Sequence, residues 1–180
     1  MERMTSSWHR INTPLHQWDL ALCLRFNRVS RHTLFCHFFR IISRLGNGVF
    51  WYSLMSVMLF VDGMQALPTV TRMVLGGLAC LAIYKYLKTR TSRPRPYQVY
   101  TAIAAAAPAL DRFSFPSGHT LHAVCFTVLA CSAYPQLAWL LWPFTALIAA
   151  SRPILGLHYP SDVLAGALIG LGIAGLALLF

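Results

Sequence analysis

The sequence predicts an all-α, polytopic transmembrane helix bundle, and three observations carry that expectation. The 180-residue chain is 57% hydrophobic and only 11% charged, where a soluble domain carries about 25% charged residues. Its mean hydropathy is +0.55. From residue 48 onward, apolar runs near membrane-crossing length recur between polar connections.

Residues 1–47 form an amphipathic N-terminal segment. The first 15 residues, MERMTSSWHRINTPL, lack the apolar stretch of a cleavable signal peptide, so none is expected. WDLALCLRFNRVS and RHTLFCHFFRIISRLG set apolar and basic residues at helical spacing. Asp19, Arg25, Arg28, Arg40 and Arg44 make a crossing costly there. Both stretches therefore read as interface helices on the membrane surface, with Phe, Leu and Ile toward lipid. The alternative is that one of them is a poor first span, giving six spans instead of five.

Residues 48–180 are the transmembrane domain. The five expected spans are 48–62, 66–87, 118–134, 136–152 and 161–180. YPQ joins the third to the fourth, which makes them antiparallel neighbours. The last span carries Gly166, Gly170, Gly172 and Gly175, and its GALIG is a small-xxx-small face suited to close helix packing. A polar loop of about 30 residues separates the second and third spans, and loops of that length tend to be functional or disordered. Within it, Ala104–Ala107 is expected to form a short helix. The cysteines Cys23, Cys36, Cys80, Cys125 and Cys131 show no CxxC or zinc spacing and read as small buried apolar residues. No internal repeat is visible, and one transmembrane domain is the simplest organisation.

Charge is lopsided, with 15 Lys+Arg against 5 Asp+Glu and a formal net charge of +10. In a soluble protein that balance would point to nucleic acid. Here the basic residues alternate with apolar spans, so lipid phosphate headgroups are the fitting partner and nucleic acid is not.

An alternating up-down path brings four chain ends to one face of the membrane: the end of the second span, the start of the third, the end of the fourth and the start of the fifth. Lys88, Arg95, Ser117, Gly118, His119, Arg152, His158 and Asp162 then share one layer. Three fixed cations, Lys88, Arg95 and Arg152, suit a phosphoryl group. Ser117 and Gly118 open a helix, whose free N–H groups and positive dipole end add to anion binding. Pro116 fits a helix entry. Asp162, four residues after His158, can set the imidazole tautomer and leave its other nitrogen as a nucleophile, with His119 as a general acid. The set suffices for phosphoryl transfer without metal. The acids Glu2, Asp19, Asp62, Asp111 and Asp162 are dispersed along the chain, which disfavours a two-metal site. His119 and His122 lack an evident third ligand, so no metal and no cofactor are expected.

Three motifs sharpen this. KTRTSRPRP (88–96) fits Lys-x6-Arg-Pro, PSGH stands at 116–119, and SRPILGLHYPSD (151–162) fits Ser-Arg-x5-His-x3-Asp. In this order they resemble the type 2 phosphatidic acid phosphatase superfamily, which also includes vanadium haloperoxidases and glucose-6-phosphatases. The resemblance covers residues 88–162. It implies that Lys88, Arg95 and Arg152 bind phosphate and that Ser117 and Gly118 donate hydrogen bonds to it. It further implies that His158 attacks phosphorus to form a phosphohistidine, that Asp162 orients His158, and that His119 protonates the leaving group and then activates water. The division between acid and nucleophile comes from the family, not from spacing.

The resemblance makes phosphatidic acid, phosphatidylglycerophosphate and a polyprenyl phosphate or diphosphate such as undecaprenyl diphosphate the substrate candidates, in a bacterial-type inner membrane. A lipid phosphotransferase and a non-enzymatic lipid-binding protein are the alternatives. A haloperoxidase is disfavoured, because such enzymes are typically soluble and much larger. Bacterial lipid phosphatases of the family often have six spans, one more than expected here. The excess of basic residues on the side of the motifs places the site in the cytoplasm by the positive-inside rule, whereas bacterial members frequently face the periplasm.

Overall fold

The computed structural model describes residues 13–180, and every regular element among them is helical. Residues 1–12 of the N-terminal segment, with Glu2, Arg3 and Arg10, lie outside the described residues. The helices are α1 (Pro14–Asn27), α2 (Thr33–Leu45), α3 (Val49–Asp62), α4 (Leu67–Thr91), a single turn α5 (Pro96–Val99), α6 (Gly118–Ala133), α7 (Ala138–Ile154) and α8 (Pro160–Ala177).

The bundle is organised around α6. Thr120, Leu121, Ala123, Val124, Cys125, Phe126, Thr127, Leu129 and Ala130 are all buried, as expected of a helix that is apolar on every side. α4, α7 and α8 pack around it. Trp51, Met55 and Met58 of α3, Met73 and Cys80 of α4, and Leu141 and Ile148 of α7 complete the core. The approach of α8 is set by two glycines. A Cβ at Gly166 would lie 2.6 Å from the Ser117 carbonyl oxygen, and one at Gly170 would lie 2.3 Å from that of Leu121. Gly172 and Gly175 meet nothing within 4 Å. The small-residue face is therefore Gly166 and Gly170 alone, because helical spacing turns the other two away from α6.

The chain is a membrane-spanning bundle. Among the described residues, three segments are long and apolar enough to cross a membrane: Leu67–Val99, Pro135–Ile154 and Pro160–Ala177. Thr33–Leu45 and Val49–Gln65 meet at 51° and together make a fourth candidate. The run expected as a first span over 48–62 is thus one arm of a bent pair. The bend occurs at Gly46-Asn47-Gly48, where Gly48 has φ +119°, a conformation that glycine adopts freely. α6 is apolar but only 16 residues long, and it is covered by protein instead of lipid.

Two further details differ from expectation. Ala104–Ala107 is not helical. Pro108 disfavours α geometry at Ala107, and the backbone there has other partners. Asn27 holds both the N–H and the carbonyl of Ala104, and the Ala106 N–H donates to Leu155 O at 3.0 Å. Pro116 also precedes the helix instead of opening it, since Ser117 is the extended cap residue and α6 begins at Gly118.

α1 turns its polar residues inward. Asp19, Cys23 and Asn27, spaced four apart on one face, are buried, while Leu15, Trp18 and Phe26 are exposed. Its inner face packs on α7 and α8.

Candidate active site

The loop after α7 turns through Gly156 (φ +74°) and presents His158 just before α8 begins. Gly156 has no room for a side chain, since a Cβ there would meet Ala104 O at 2.4 Å. Asp162 sits in the first turn of α8. Its Oδ2 accepts from the Tyr159 N–H at 2.8 Å and from the Ser114 hydroxyl, and stands 3.7 Å from His158 Nδ1. On the other edge of the ring, Arg95 Nη1 lies 3.3 Å from His158 Nε2. A guanidinium can only donate, so Nε2 is the acceptor and the ring proton resides on Nδ1, toward Asp162. Burial, then the cations Arg152, Arg95 and Lys88, hold this imidazole well below its ordinary range. It is neutral at neutral pH, with the Nε2 lone pair free of a proton.

Three cations line the same cavity as this imidazole, in two distinct states. Lys88 and Arg95 share Asp111: Lys88 Nζ lies 2.6 Å from Asp111 Oδ1, and Arg95 Nη2 lies 3.0 Å from the same atom. Lys88 also donates to Phe113 O at 2.8 Å, and Arg95 to Leu157 O at 2.7 Å. Burial raises the Asp111 carboxyl, but Lys88 and Arg95 more than compensate and hold it below the usual carboxylate range. Arg152 is different. It is 2% exposed, donates to the Ser43 hydroxyl, and leaves its Nε without a partner among the described residues. Among the described residues it makes no ion pair.

Lys88, Arg95, Asp111, Gly118, His119, Arg152 and His158 line the polar end of one cavity of about 360 Å³. Its other walls are apolar, formed by Trp51, Tyr52 and Met55 of α3, Val74, Leu78 and Leu81 of α4, and Phe126 of α6. Tyr52, Val74, Leu78 and Leu81 are also exposed on the outer surface of the bundle, so the apolar end reaches the lipid-facing side between α3 and α4. His119 contacts the Asn47 side chain at the α2–α3 bend, and His122 pairs with the Gly118 carbonyl at 2.8 Å. Among the described residues no three His, Cys, Asp or Glu side chains cluster as metal ligands.

The residues singled out from the sequence thus converge, with two qualifications of geometry. Asp162 lies behind His158, not on the cavity wall. Ser117 is fully buried and its groups are engaged: the N–H donates to Asp162 O at 3.1 Å, and the hydroxyl pairs with Thr120 at 3.0 Å. Gly118 is the member of that pair that faces the cavity, with its N–H in the first helical turn. Sequence reasoning missed Asp111, Arg93, Asp19, Ser43, Asn47 and Ser114. The available signal was scarcity, since three of only five acidic residues converge here.

A family model described as the PAP2 superfamily matches residues 68–180, well over half of the chain. The chain belongs to the PAP2 superfamily. Among curated relatives, the undecaprenyl-diphosphatase of Sulfolobus acidocaldarius is 25% identical over 130 residues, covering 72% of this chain and 62% of the relative. Undecaprenyl-diphosphatase BcrC of Bacillus subtilis is 32% identical over 95 residues, covering 53% and 49%. The matched segments thus span less than two thirds of the relatives' own lengths. Among solved structures, Aquifex aeolicus LpxE superposes with a TM-score of 0.78 at 28% identity, over 89% of this chain and 94% of that one. A transmembrane PAP2 type phosphatidylglycerolphosphate phosphatase from Bacillus subtilis gives 0.75 at 24% identity, over 97% and 89%, a likeness of fold.

Proposed function

We propose that this PAP2 protein is a metal-independent lipid phosphate phosphatase that hydrolyses a polyprenyl diphosphate through a phosphohistidine. The observation that carries the reading is Arg152, a buried cation with no counter-ion among the described residues, lining with the uncharged His158 imidazole a cavity whose far end opens toward lipid. Burying an unpaired charge is costly. A phosphoryl dianion supplies the missing partner, and the apolar flank takes the first part of an amphiphile's tail. The relatives named undecaprenyl-diphosphatases support a polyprenyl diphosphate over a glycerophospholipid.

In this reading the terminal phosphoryl group displaces Asp111 from Lys88 and Arg95 and completes the pairing of Arg152. His158 Nε2 attacks phosphorus, the bond from phosphorus to the bridging oxygen breaks, and His119, carrying a second ring proton taken up with the anionic substrate, gives that proton to the bridging oxygen. Asp162 holds Nδ1–H and balances the charge that the ring acquires. His119 then takes a proton from water as the water oxygen displaces His158 Nε2. Inorganic phosphate leaves and both histidines are restored.

The test is phosphate release from a panel of polyprenyl diphosphate, phosphatidic acid and phosphatidylglycerophosphate in the presence of EDTA. Polyprenyl diphosphate is expected to be the best substrate. Activity abolished by EDTA and restored by a divalent metal would overturn the mechanism. His158→Ala is expected to lose about three orders of magnitude or more in kcat, as removal of a nucleophile does in acyl transfer. Near-wild-type turnover in that variant would remove His158 from its role. The basic residues of α1, α2 and the 88–112 stretch support a mouth on the cytoplasmic side. Labelling of Leu110→Cys by an impermeant maleimide in intact cells would reverse that assignment.

A further inference from the structure

Asp162 is fully buried, and a buried carboxylate keeps its charge only if something positive holds it. That group is Arg93, which belongs to none of the three motifs by role. Its Nη1 donates to Asp162 Oδ1 at 2.7 Å and to the Ser161 hydroxyl at 2.8 Å. Its Nη2 donates to Asp19 Oδ2 at 2.7 Å, and its guanidinium lies 4.1 Å from the centre of the Tyr159 ring. Asp19, on α1, is itself fully buried and also accepts the Ser161 N–H at 2.9 Å. It lies far outside the matched family segment, 68–180.

We propose that Asp19 and Arg93 are positioning residues for the His158–Asp162 pair, so that α1 is a structural part of the active site. The proposal rests on the phosphatase reading above. Arg93 follows the left-handed Ser92 (φ 47°) on an irregular stretch after α4, so its backbone alone does not aim the side chain. Asp19 does so by holding one nitrogen of the fork while the other holds Asp162. Two carboxylates around one guanidinium leave a net negative charge beside His158. That charge is what the imidazole needs when it becomes cationic on accepting the phosphoryl group. None of these four contacts touches the cavity, so the effect falls on the chemical step and not on substrate binding.

The experiment compares the full-length wild type with Asp19→Asn, Arg93→Gln and Arg93→Lys. It measures kcat and KM for phosphate release from polyprenyl diphosphate in mixed micelles, together with inhibition by inorganic phosphate. Asp19→Asn and Arg93→Gln are expected to lower kcat by about 10- to 100-fold, the range for a lost charged hydrogen bond. KM and the inhibition constant of phosphate stay within about twofold, because Lys88, Arg95 and Arg152 are untouched. Arg93→Lys recovers part of kcat, since a lysine carries the charge without the fork. If Arg93→Gln does not accumulate, the isosteric Asp19→Asn carries the comparison. Wild-type kcat in Asp19→Asn, or parallel losses in kcat and phosphate affinity, would overturn the assignment while the phosphatase reading stands. A wild type that releases no phosphate from any lipid would overturn both.

Discussion

α1 and α8 position the active-site end of the bundle by opposite means. α1 presents polar side chains: Asp19 to Ser161, Cys23 to the His158 carbonyl at 3.6 Å, and Asn27 to the Ile154 carbonyl at 3.0 Å. α8 presents the absence of side chains, with Gly166 and Gly170 laid against the backbone of α6. Hydrogen bonds on α1 are directional and charged at one end, so they bear on the chemistry. Close backbone contact on α8 is non-directional and sets how near Asp162 comes to the Ser117 end of α6. On this comparison the charged contact of Asp19 bears on turnover, whereas the neutral contacts of Asn27 and the close packing of Gly166 and Gly170 bear on folding.

The sharpest break is Gly170→Val. A Cβ there falls 2.3 Å from a backbone oxygen, which cannot swing aside as a side chain can. α6 and α8 must separate, at a cost of about 3 kcal/mol, the upper end of ordinary overpacking. Thermal unfolding in detergent is expected to show a large fall in midpoint, with activity lost in step. An unchanged midpoint would mean that α6 and α8 are not in backbone contact.

Asn27→Ala makes the matching cut on α1. The Asn27 amide serves the Ala104 N–H at 2.9 Å, the Ala104 carbonyl at 3.0 Å and the Ile154 carbonyl. Its removal leaves those groups without partners, a loss of about 1–3 kcal/mol. The 100–110 stretch is expected to become more susceptible to protease, with a moderate fall in midpoint. Unchanged protection would show that α1 does not hold that loop.

Much of this architecture was legible in the sequence because it depends on local rules. Hydropathy located the apolar runs, the up-down path brought their polar ends together, and three motifs named Lys88, Arg95, His119, Arg152, His158 and Asp162. What escaped depends on tertiary pairing. Asp19 looked like an obstacle to membrane insertion and is instead a buried partner of Arg93. Asp111 looked like an isolated acid and instead bridges two cations. Ala104–Ala107 has high helix propensity, yet Asn27 and Pro108 override it. The four glycines of the last span look alike in sequence, and only packing tells which two are in contact.

His158, held between the two helices, offers a pH measurement. Burial and the cations Arg152, Arg95 and Lys88 depress its pKa well below 6.5. A base with a lowered pKa stays neutral further into acid, so the proposed nucleophile survives where a solvent-exposed histidine would be protonated. The acid limb of kcat/KM is therefore expected below pH 6.5. A limb at or above that value would mean that the imidazole is neither buried nor crowded by charge in the working enzyme.

The smallest effect tests the selectivity of the glycine contact. Gly172 and Gly175 lie on the same helix as Gly170, yet a Cβ at either meets nothing within 4 Å. If α8 used all its small residues for packing, replacing these two would weaken the bundle as Gly170→Val does. If only the α6-facing stripe matters, alanine at both removes two flexible residues from a helix and adds no clash. The double variant Gly172→Ala/Gly175→Ala is then expected to keep wild-type turnover and to unfold at the same midpoint or slightly above it. The gain would be at most about 1 kcal/mol per site from helix propensity. A clear loss of midpoint in the double variant would extend the contact beyond Gly166 and Gly170, to a neighbour on the outer face of α8 such as a second copy of the chain.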